Sequence, residues 1–401
     1  MCCSSHGKIT AIAGIAMSLG NDNINRIYEE IAESDMLIHP ELFTHTNNQL
    51  NKAISKAFGD ISITDYNYPM VQEFRRNMAR FSTYKSAEQT KLLGSELKER
   101  APEIDKLYNT NYLNAEYNHA LRSANSAKNW KQYEADKDIY PFLEYMPSTA
   151  ADPRSDHAQL VGVIKPVDDS FWDTWMPPSD WNCQCWVQQV ESDKGAVEPP
   201  ADLKPPPALM RNNPGKSHKI FTDKHPMISK FQHDYPDKIE ELLKWEASGF
   251  AGKPIEDITF WQSNLKTKGF AVAFDYEAMK EVPKHRETVD YLSNKGNAVH
   301  LIGRANTHKN VDGKVNGLFS EFKKVSSVTS VHNQLRDANQ KALFYDFADV
   351  YLYSLTKLST VTTGINRRLH RCKHIHNVYV IHKDKMFLYD KNTKGLIEIN
   401  P

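Results

Sequence analysis

The stretch FWDTWMPPSDWNCQCWV, Phe171 to Val187, holds four of the chain's seven tryptophans, a Pro-Pro pair and a Cys-x-Cys pair. No ordinary core helix or strand needs that combination. Cys183 and Cys185 are two residues apart, so an extended backbone turns both thiols to one side, where they could share a tetrahedral metal ion. Two ligands do not complete a site. The missing ones are sought in STAADPRSDHAQLVG (Ser148–Gly162), where Asp152 offers a carboxylate oxygen and His157 an imidazole nitrogen. The expectation is that Asp152, His157, Cys183 and Cys185 converge on a structural Zn²⁺. The plainer alternative makes the cysteines small buried residues and lets His157 bond to backbone.

Upstream, residues 21–140 show apolar residues at three- and four-residue spacing within long polar stretches, the pattern of packed helices. In NYLNAEYNHALRSANSAKNW (Asn111–Trp130), Leu113, Tyr117, Leu121, Ala124 and Lys128 fall along one stripe. Near the start, ITAIAGIAMSLG (Ile9–Gly20) follows Lys8 and reads as an amphipathic N-terminal helix or a weak signal peptide. It is far shorter than the ~20 apolar residues of a membrane span. Five cysteines in 401 residues, two at the extreme N-terminus, do not form a disulfide framework and favour reducing conditions.

Together, LNAEYNHALRSANSAKNW and YPFLEYMPSTAADPRSDHAQLVGVIKPVDDSFWDTWMPPSDWNCQCWV resemble the phage Mu F-like family of minor head, or head-morphogenesis, proteins. The family pattern runs Asp-x-Arg-x-x-x-His, Gly, Phe or Trp, then Pro-Pro-x-x-x-Asn-Cys-Arg-Cys. Here Asp152, Arg154, His157, Gly162, Phe171, Trp172, Pro177, Pro178, Asn182, Cys183 and Cys185 occupy those places, with two residues rather than three between Arg154 and His157. Gln184 stands where the family carries Arg, which puts any docking role of that cation in doubt. The resemblance covers roughly residues 40–230. It implies a structural role in building or filling a phage head, with portal and capsid proteins as partners. The setting it implies is the bacterial cytoplasm during phage assembly, then the virion. Such proteins also carry C-terminal toxin domains.

The texture changes after Val190. Pro199, Pro200, Pro205, Pro206, Pro207 and Pro214 argue against a regular element and for an extended spacer, with NNPGKSHKIFTDKHP (Asn212–Pro226) left open to packing on the first domain. Residues 256–401 carry 22 Lys+Arg against 15 Asp+Glu, a net +7, so residues 1–255 are at −7. Different partners follow for the two parts. Strand-like runs appear at GFAVAF (Gly269–Phe274), NAVHLIG (Asn297–Gly303), KVNGLFSEFKKV (Lys314–Val325), DVYLYSL (Asp349–Leu355), NVYVIH (Asn377–His382) and KMFLYD (Lys385–Asp390), with helix-like segments between. The fold expected is multidomain: a mainly α head-protein domain over residues 1–195, a Pro-rich connecting segment over 196–255, and a small α+β nuclease-like domain with an antiparallel sheet over 256–401.

The chemistry of the last part centres on Thr307–Ala342. In a strand, Glu321 and Lys323 project from one face, with Asp312 delivered by the preceding Asp-Gly turn. On the following helix Val331, Leu335, Ala338 and Ala342 form the buried stripe, leaving His332, Arg336 and Asn339 on another face. An acid, an ammonium, an imidazole and a guanidinium at one corner suit RNA cleavage through the 2′-hydroxyl without a metal. The segment VDGKVNGLFSEFKKVSSVTSVHNQLRDANQKALFYDFADVYLYSL is also similar to the C-terminal tRNase domains of contact-dependent inhibition toxins, in the barnase, EndoU, colicin and RelE-like group. That resemblance falls on Asp312, Asn316, Glu321, Lys323, Ser326 and Lys341, and implies transfer RNA as substrate and a cognate immunity protein. His332 and Arg336 rest on geometry alone. Three other readings stand beside it. In a PD-(D/E)xK deoxyribonuclease, Asp312 and Glu321 would hold Mg²⁺ and Lys323 would orient water. The domain could instead grip DNA without catalysis, INRRLHRCKHIH (Ile365–His376) being its dense basic run. A bare Glu-x-Lys is otherwise a solvated strand pair.

Overall fold

The computed structural model describes residues 17–303 and 310–400 and divides them into two compact units. The N-terminal unit takes residues 17–57 and 82–229; the C-terminal unit takes 58–81 and 230–400. Ile9–Ala16 of the apolar stretch and Thr307–Lys309 lie outside the described residues.

The N-terminal unit is built on helices Asn21–Ala32, Pro40–Phe58, the second half of Tyr68–Ser95, and Leu113–Asp136. The last is preceded by a π-helical stretch, Lys106–Tyr112. Its buried face is wider than the single stripe expected, taking in Glu116, His119, Ala120 and Ala127, while Lys128 is exposed. Glu116 is tolerated inside because Lys85, also fully buried, pairs with it and donates to the Tyr108 carbonyl at 2.9 Å. A three-stranded antiparallel sheet follows, with β1 (Phe142–Met146) between β2 (Ile164–Pro166) and β3 (Trp186–Val190).

The Phe171–Val187 stretch closes this small sheet. Trp172, with no exposed surface, packs beside Trp130, Leu143, Tyr145 and Val163, and its indole N–H donates to the Pro166 carbonyl at 2.9 Å. The proline-rich stretch is not a free spacer. Met210, Asn213, Pro214 and Gly215 are buried in the same unit, and a Cβ on Gly215 would lie 2.4 Å from Cβ of Trp130.

Among the described residues the C-terminal unit carries a nine-stranded sheet, ordered β12-β11-β10-β9-β8-β7-β6-β5-β4. Its strands are β4 (Phe260–Asn264), β5 (Gly269–Ala273), β6 (Ala298–Leu301), β7 (Gly313–Val315), β8 (Leu318–Val325), β9 (Ala348–Ser354), β10 (Ile375–His382), β11 (Lys385–Asp390) and β12 (Gly395–Ile399). The sheet is antiparallel at both ends, with parallel pairs β5–β6, β8–β9 and β9–β10. Parallel neighbours need long crossovers, which the helices supply. Tyr276–Asn294 links β5 to β6 and packs on Ala271, Val299, Phe322 and Tyr351. Val328–Ala342 and Leu358–Arg368 link β8 to β9 and β9 to β10, and cover Val325, Val350, Leu352, Val378 and Val380. The two clusters use alternate residues of β8 to β10, so the sheet is covered on both faces there. That burial explains why ADVYLYS is almost continuously buried.

The run read as one strand, Lys314–Val325, is two strands joined by Asn316-Gly317, both at positive φ (49° and 85°), the conformation of a tight hairpin. The unit also recruits residues 58–81. Arg76 in that segment donates to Glu246 Oε1 at 2.8 Å, to the Gly296 carbonyl at 3.0 Å and to the Lys268 carbonyl at 2.9 Å, and stacks over Phe270.

Candidate functional site

In the N-terminal unit, the turn before β3 brings both cysteines to the histidine upstream. Asn182 takes positive φ (58°), a conformation asparagine adopts more readily than most residues. The backbone N–H of Cys183 closes the turn on the Asp180 carbonyl, and Arg154 pairs with Asp180 at 2.8 Å, tying the upstream loop to it. The ligand atoms of His157, Cys183 and Cys185 all lie within 4.8 Å of one another, with His157 Nδ1 3.7 Å from Cys185 Sγ. Hydrogen bonding from Cys185 outweighs burial and, with His157, holds Cys183 down to about 4, while Cys185 is pushed up by the same bond. A thiolate beside an imidazole and a second thiol is the donor chemistry Zn²⁺ prefers, so these three residues fit the ion. Asp152 does not join them: it is exposed, and the group of three does not include it. Being five positions ahead of His157, across Pro153, leaves it on the loop rather than on the short helix Ser155–Ala158.

In the C-terminal unit, the hairpin sets Asp312, which directly precedes β7, beside Glu321 on β8, since Gly313 pairs with Ser320. Asp312 is anchored by the backbone N–H of Phe322, which donates to Oδ2 at 2.9 Å. Lys323, two residues along the strand, lies 2.6 Å from Glu321 Oε2 and 3.7 Å from Asp312 Oδ2. Lys341 reaches the same acids, 3.0 Å from Asp312 and 3.1 Å from Glu321. Asp337 on the same helix contacts Lys323 at 3.2 Å. From the Tyr276–Asn294 helix, His285 Nε2 stands 3.6 Å from Asp312 and 3.9 Å from Glu281.

Glu321 has no exposed surface, and its second oxygen, Oε1, has no hydrogen-bond partner. Burial and the neighbouring Asp312 push its carboxyl up to about 7 against the pull of the two lysines. Asp312 is pushed up by burial too, but Lys323, His285 and Lys341 outweigh this and leave it below the usual carboxylate range. Lys323 is raised, the attraction of both acids overcoming its burial, and His285 is lowered by burial. The result is two carboxylates of divergent proton affinity between two ammonium groups, the kind of divergence found where acid–base work is done.

His332 and Arg336 do not reach this cluster. At 100° per residue, Asp337 and Lys341 lie on one flank of the buried Val331–Leu335–Ala338–Ala342 stripe, and His332, Arg336 and Asn339 lie on the other. Asn339 there accepts from the His374 backbone N–H at 2.9 Å. The two were expected to share a face, and they do, but it is the face away from the acids. Asn316 is likewise a turn residue, its side chain accepting from the Ala298 N–H at 2.9 Å and donating to Asn297 Oδ1 at 2.8 Å. Glu281 and His285 were not anticipated. Their i,i+4 spacing on one helix was the available signal.

The family model described as phage Mu protein F like protein matches residues 85–188. Capsid assembly protein F of Escherichia phage Mu is 34% identical over 76 residues, 19% of this chain and 17% of that protein. The Mu-like prophage FluMu F protein of Haemophilus influenzae is 32% identical over 68 residues, 17% of this chain and 16% of that protein. The matches thus span about a sixth of those relatives' length. Among solved structures, the CdiA-CT/CdiI toxin and immunity complex from Burkholderia pseudomallei is similar over 32% of this chain and 89% of that one, at 18% identity and a TM-score of 0.21. Among the described residues no helix is long and apolar enough to cross a membrane. Residues 85–188, which carry the His157–Cys183–Cys185 group, are a phage Mu F-like segment.

Proposed function

We propose that this chain is a phage or prophage minor head protein that carries a nuclease as its C-terminal unit. The Mu F-like segment supports the first half: one relative is named for capsid assembly and the other as a Mu-like prophage protein, and portal and capsid proteins are the partners this reading gives it. It would act in the bacterial cytoplasm during assembly and then in the virion. His157, Cys183 and Cys185 would hold a structural Zn²⁺ that pins the Phe171–Val187 turn to the loop before it.

The second half rests on one observation: Asp312 and Glu321, with Lys323 and Lys341 within 2.6–3.7 Å of them, form one cluster on the C-terminal sheet. The unpartnered, buried Oε1 of Glu321 fits a divalent cation such as Mg²⁺ shared with Asp312. When bound, such an ion supplies Lewis acidity to a scissile phosphodiester and an activated water. The residues do the rest. Asp312, fixed by the Phe322 N–H, and Glu321 would bind the ion. Lys323 and Lys341 would turn from the acids to the phosphate and stabilise charge as it develops. His285 would carry a proton beside Asp312. This is the PD-(D/E)xK-like reading of the Glu-x-Lys pair.

A metal-independent ribonuclease is the second reading. It is favoured by His285 standing 3.6 Å from Asp312, so that an imidazole meets the acids and lysines although His332 does not. Transfer RNA and an immunity protein remain the substrate and partner that this reading would add.

The test is to incubate the purified full chain with RNA and with DNA, in Mg²⁺ and in excess EDTA. Cleavage that needs Mg²⁺ and disappears in Lys323→Ala supports the first reading. Cleavage in EDTA leaving a 2′,3′-cyclic phosphate transfers the site to the second. No cleavage under either condition overturns both and leaves Glu321–Lys323 a structural pair.

A further inference from the structure

On the sheet face that carries Glu321, the strand register leads away from the acid–lysine cluster to a pocket. Phe319 stands two residues before Glu321 on β8 and so projects from the same face. Lys314 on β7 pairs with Phe319, and His300 on β6 pairs with Lys314, which puts Glu321, Phe319, Lys314 and His300 on one face. Lys314 Nζ lies over the Phe319 ring, 4.7 Å from its centroid. The Ile302 N–H donates to the Asp312 carbonyl at 3.1 Å, so the β6–β7 ladder continues to Asp312. Extended backbone at that spacing places Lys314 roughly 7 Å along the chain from Asp312.

Beyond Lys314 this face opens into a pocket of about 50 Å³ within the C-terminal unit, lined by Gln72, Phe250, Phe270, His300 and Lys314 among others. That is room for about four waters, or for the oxygens of one phosphate. Gln72 is 7% exposed, and its amide nitrogen has no hydrogen-bond partner. The hairpin seats against it: a Cβ on Gly317 would lie 2.9 Å from Gln72 Cβ. Lys314 is half-buried, and burial and the charge of Arg75 lower its proton affinity with no carboxylate to oppose them. His300 is pushed down to about 4 by burial, with Lys314 and Lys253 adding to the effect and Asp275 opposing it. At neutral pH the imidazole is therefore uncharged, and Lys314 supplies the pocket's positive charge. A half-buried ammonium without a counter-charge, beside a buried amide donor without an acceptor, is the complement of an anion.

We propose that Lys314 and Gln72 form a phosphate subsite, taking a backbone phosphate of the nucleic-acid strand next to the bond held at Asp312–Glu321. Lys314 would pair with the phosphate and Gln72 would donate to it, while His300 and the phenylalanines close the pocket around it. The inference rests on the nuclease reading for the strand's path, but binding can be measured without cleavage.

The experiment uses the full chain with a fluorescein-labelled single-stranded DNA in EDTA, read by anisotropy over a series of salt concentrations. Lys314→Met keeps the apolar stem over Phe319 and removes the charge. It should weaken binding by about tenfold, the loss of one charge-assisted contact. It should also lower the slope of log Kd against log salt by about 0.7, one phosphate contact on a single strand. Gln72→Leu removes a neutral donor, so it should weaken binding about threefold and leave the slope unchanged. Inorganic phosphate at constant ionic strength should compete with the DNA on wild type more strongly than on Lys314→Met. An unchanged affinity and slope in a folded Lys314→Met, or wild-type affinity in Gln72→Leu, overturns the proposal. So does equal competition by phosphate in wild type and Lys314→Met. Binding that behaves as expected in a chain that cuts nothing would sink the nuclease reading and leave the phosphate subsite standing.

Discussion

At the residue scale, Glu321 is the group whose environment has most to say. With its carboxyl pushed up to about 7, the carboxylate needed to hold a cation forms only as pH rises through that value. Cleavage should therefore climb across neutral pH, and Glu321→Gln should flatten that limb and lower the rate by ~10²-fold or more, as seen in a pH–rate profile. Its effect on stability has the opposite sign. A carboxyl that holds its proton more tightly when folded stabilises fully below its ordinary value, and that contribution is lost as pH rises to about 7. Denaturant titrations of Glu321→Gln and wild type should diverge over that window. The helix flanks give a sharper comparison. Lys341→Ala should cost the nuclease ~10²-fold by removing a cation from the acids, whereas His332→Ala and Arg336→Ala should leave kcat/KM close to wild type. Equal losses in all three would mean that the helix face assigned to the site is wrong.

At the scale of elements, the proline-rich stretch carries a prediction contrary to its composition. A flexible spacer would accept an extra methyl group anywhere. Gly215, however, lies against Trp130, and the Cβ of an alanine would meet Trp130 atoms at 2.4–2.6 Å. Gly215→Ala should destabilise the N-terminal unit by about 1–3 kcal/mol, the usual cost of overpacking, measured as an earlier thermal transition. An unchanged transition would show that the stretch does not pack there. In the C-terminal unit the corresponding fastening is Arg76. Arg76→Ala would leave Glu246, 2% exposed, as a buried charge without this guanidinium, and should cost about 3–5 kcal/mol. Residues 256–401 alone lack this fastening and the Ile239–Ala251 helix. They should unfold more readily than the same residues within the full chain.

For the whole molecule, the two units set two kinds of dependence. The full chain should purify with Zn²⁺ bound, by elemental analysis, and Cys183→Ala should lose it and destabilise the N-terminal unit. Zinc retained at wild-type content in that variant would remove the His157–Cys183–Cys185 group as its site. Cleavage by the C-terminal unit should respond instead to Mg²⁺. A chelator of high zinc selectivity would then impair the first unit before it affects the second.

The local sequence alone determined the elements whose signals are local. The apolar runs from Gly269 to Asp390 became strands β5 to β11, because alternation and β-branched content show in any short window. The Cys-x-Cys turn and the Glu-x-Lys face also followed from spacing. The edge strands β4 and β12 escaped notice because their partly exposed sides dilute the pattern. Tertiary structure decided the rest. It chose which flank of the Val328–Ala342 helix meets the acids, since periodicity identifies the buried stripe but treats its two sides alike. It brought His285 to Asp312 and Asp349 to His376, pairs separated by 27 residues that no window contains. It also assigned residues 58–81 to a unit that resumes at Lys230, through hydrogen bonds from Arg76 to carbonyls far along the chain. Such long-range partners depend on the closed fold, where burying a guanidinium or a carboxylate forces it to find them.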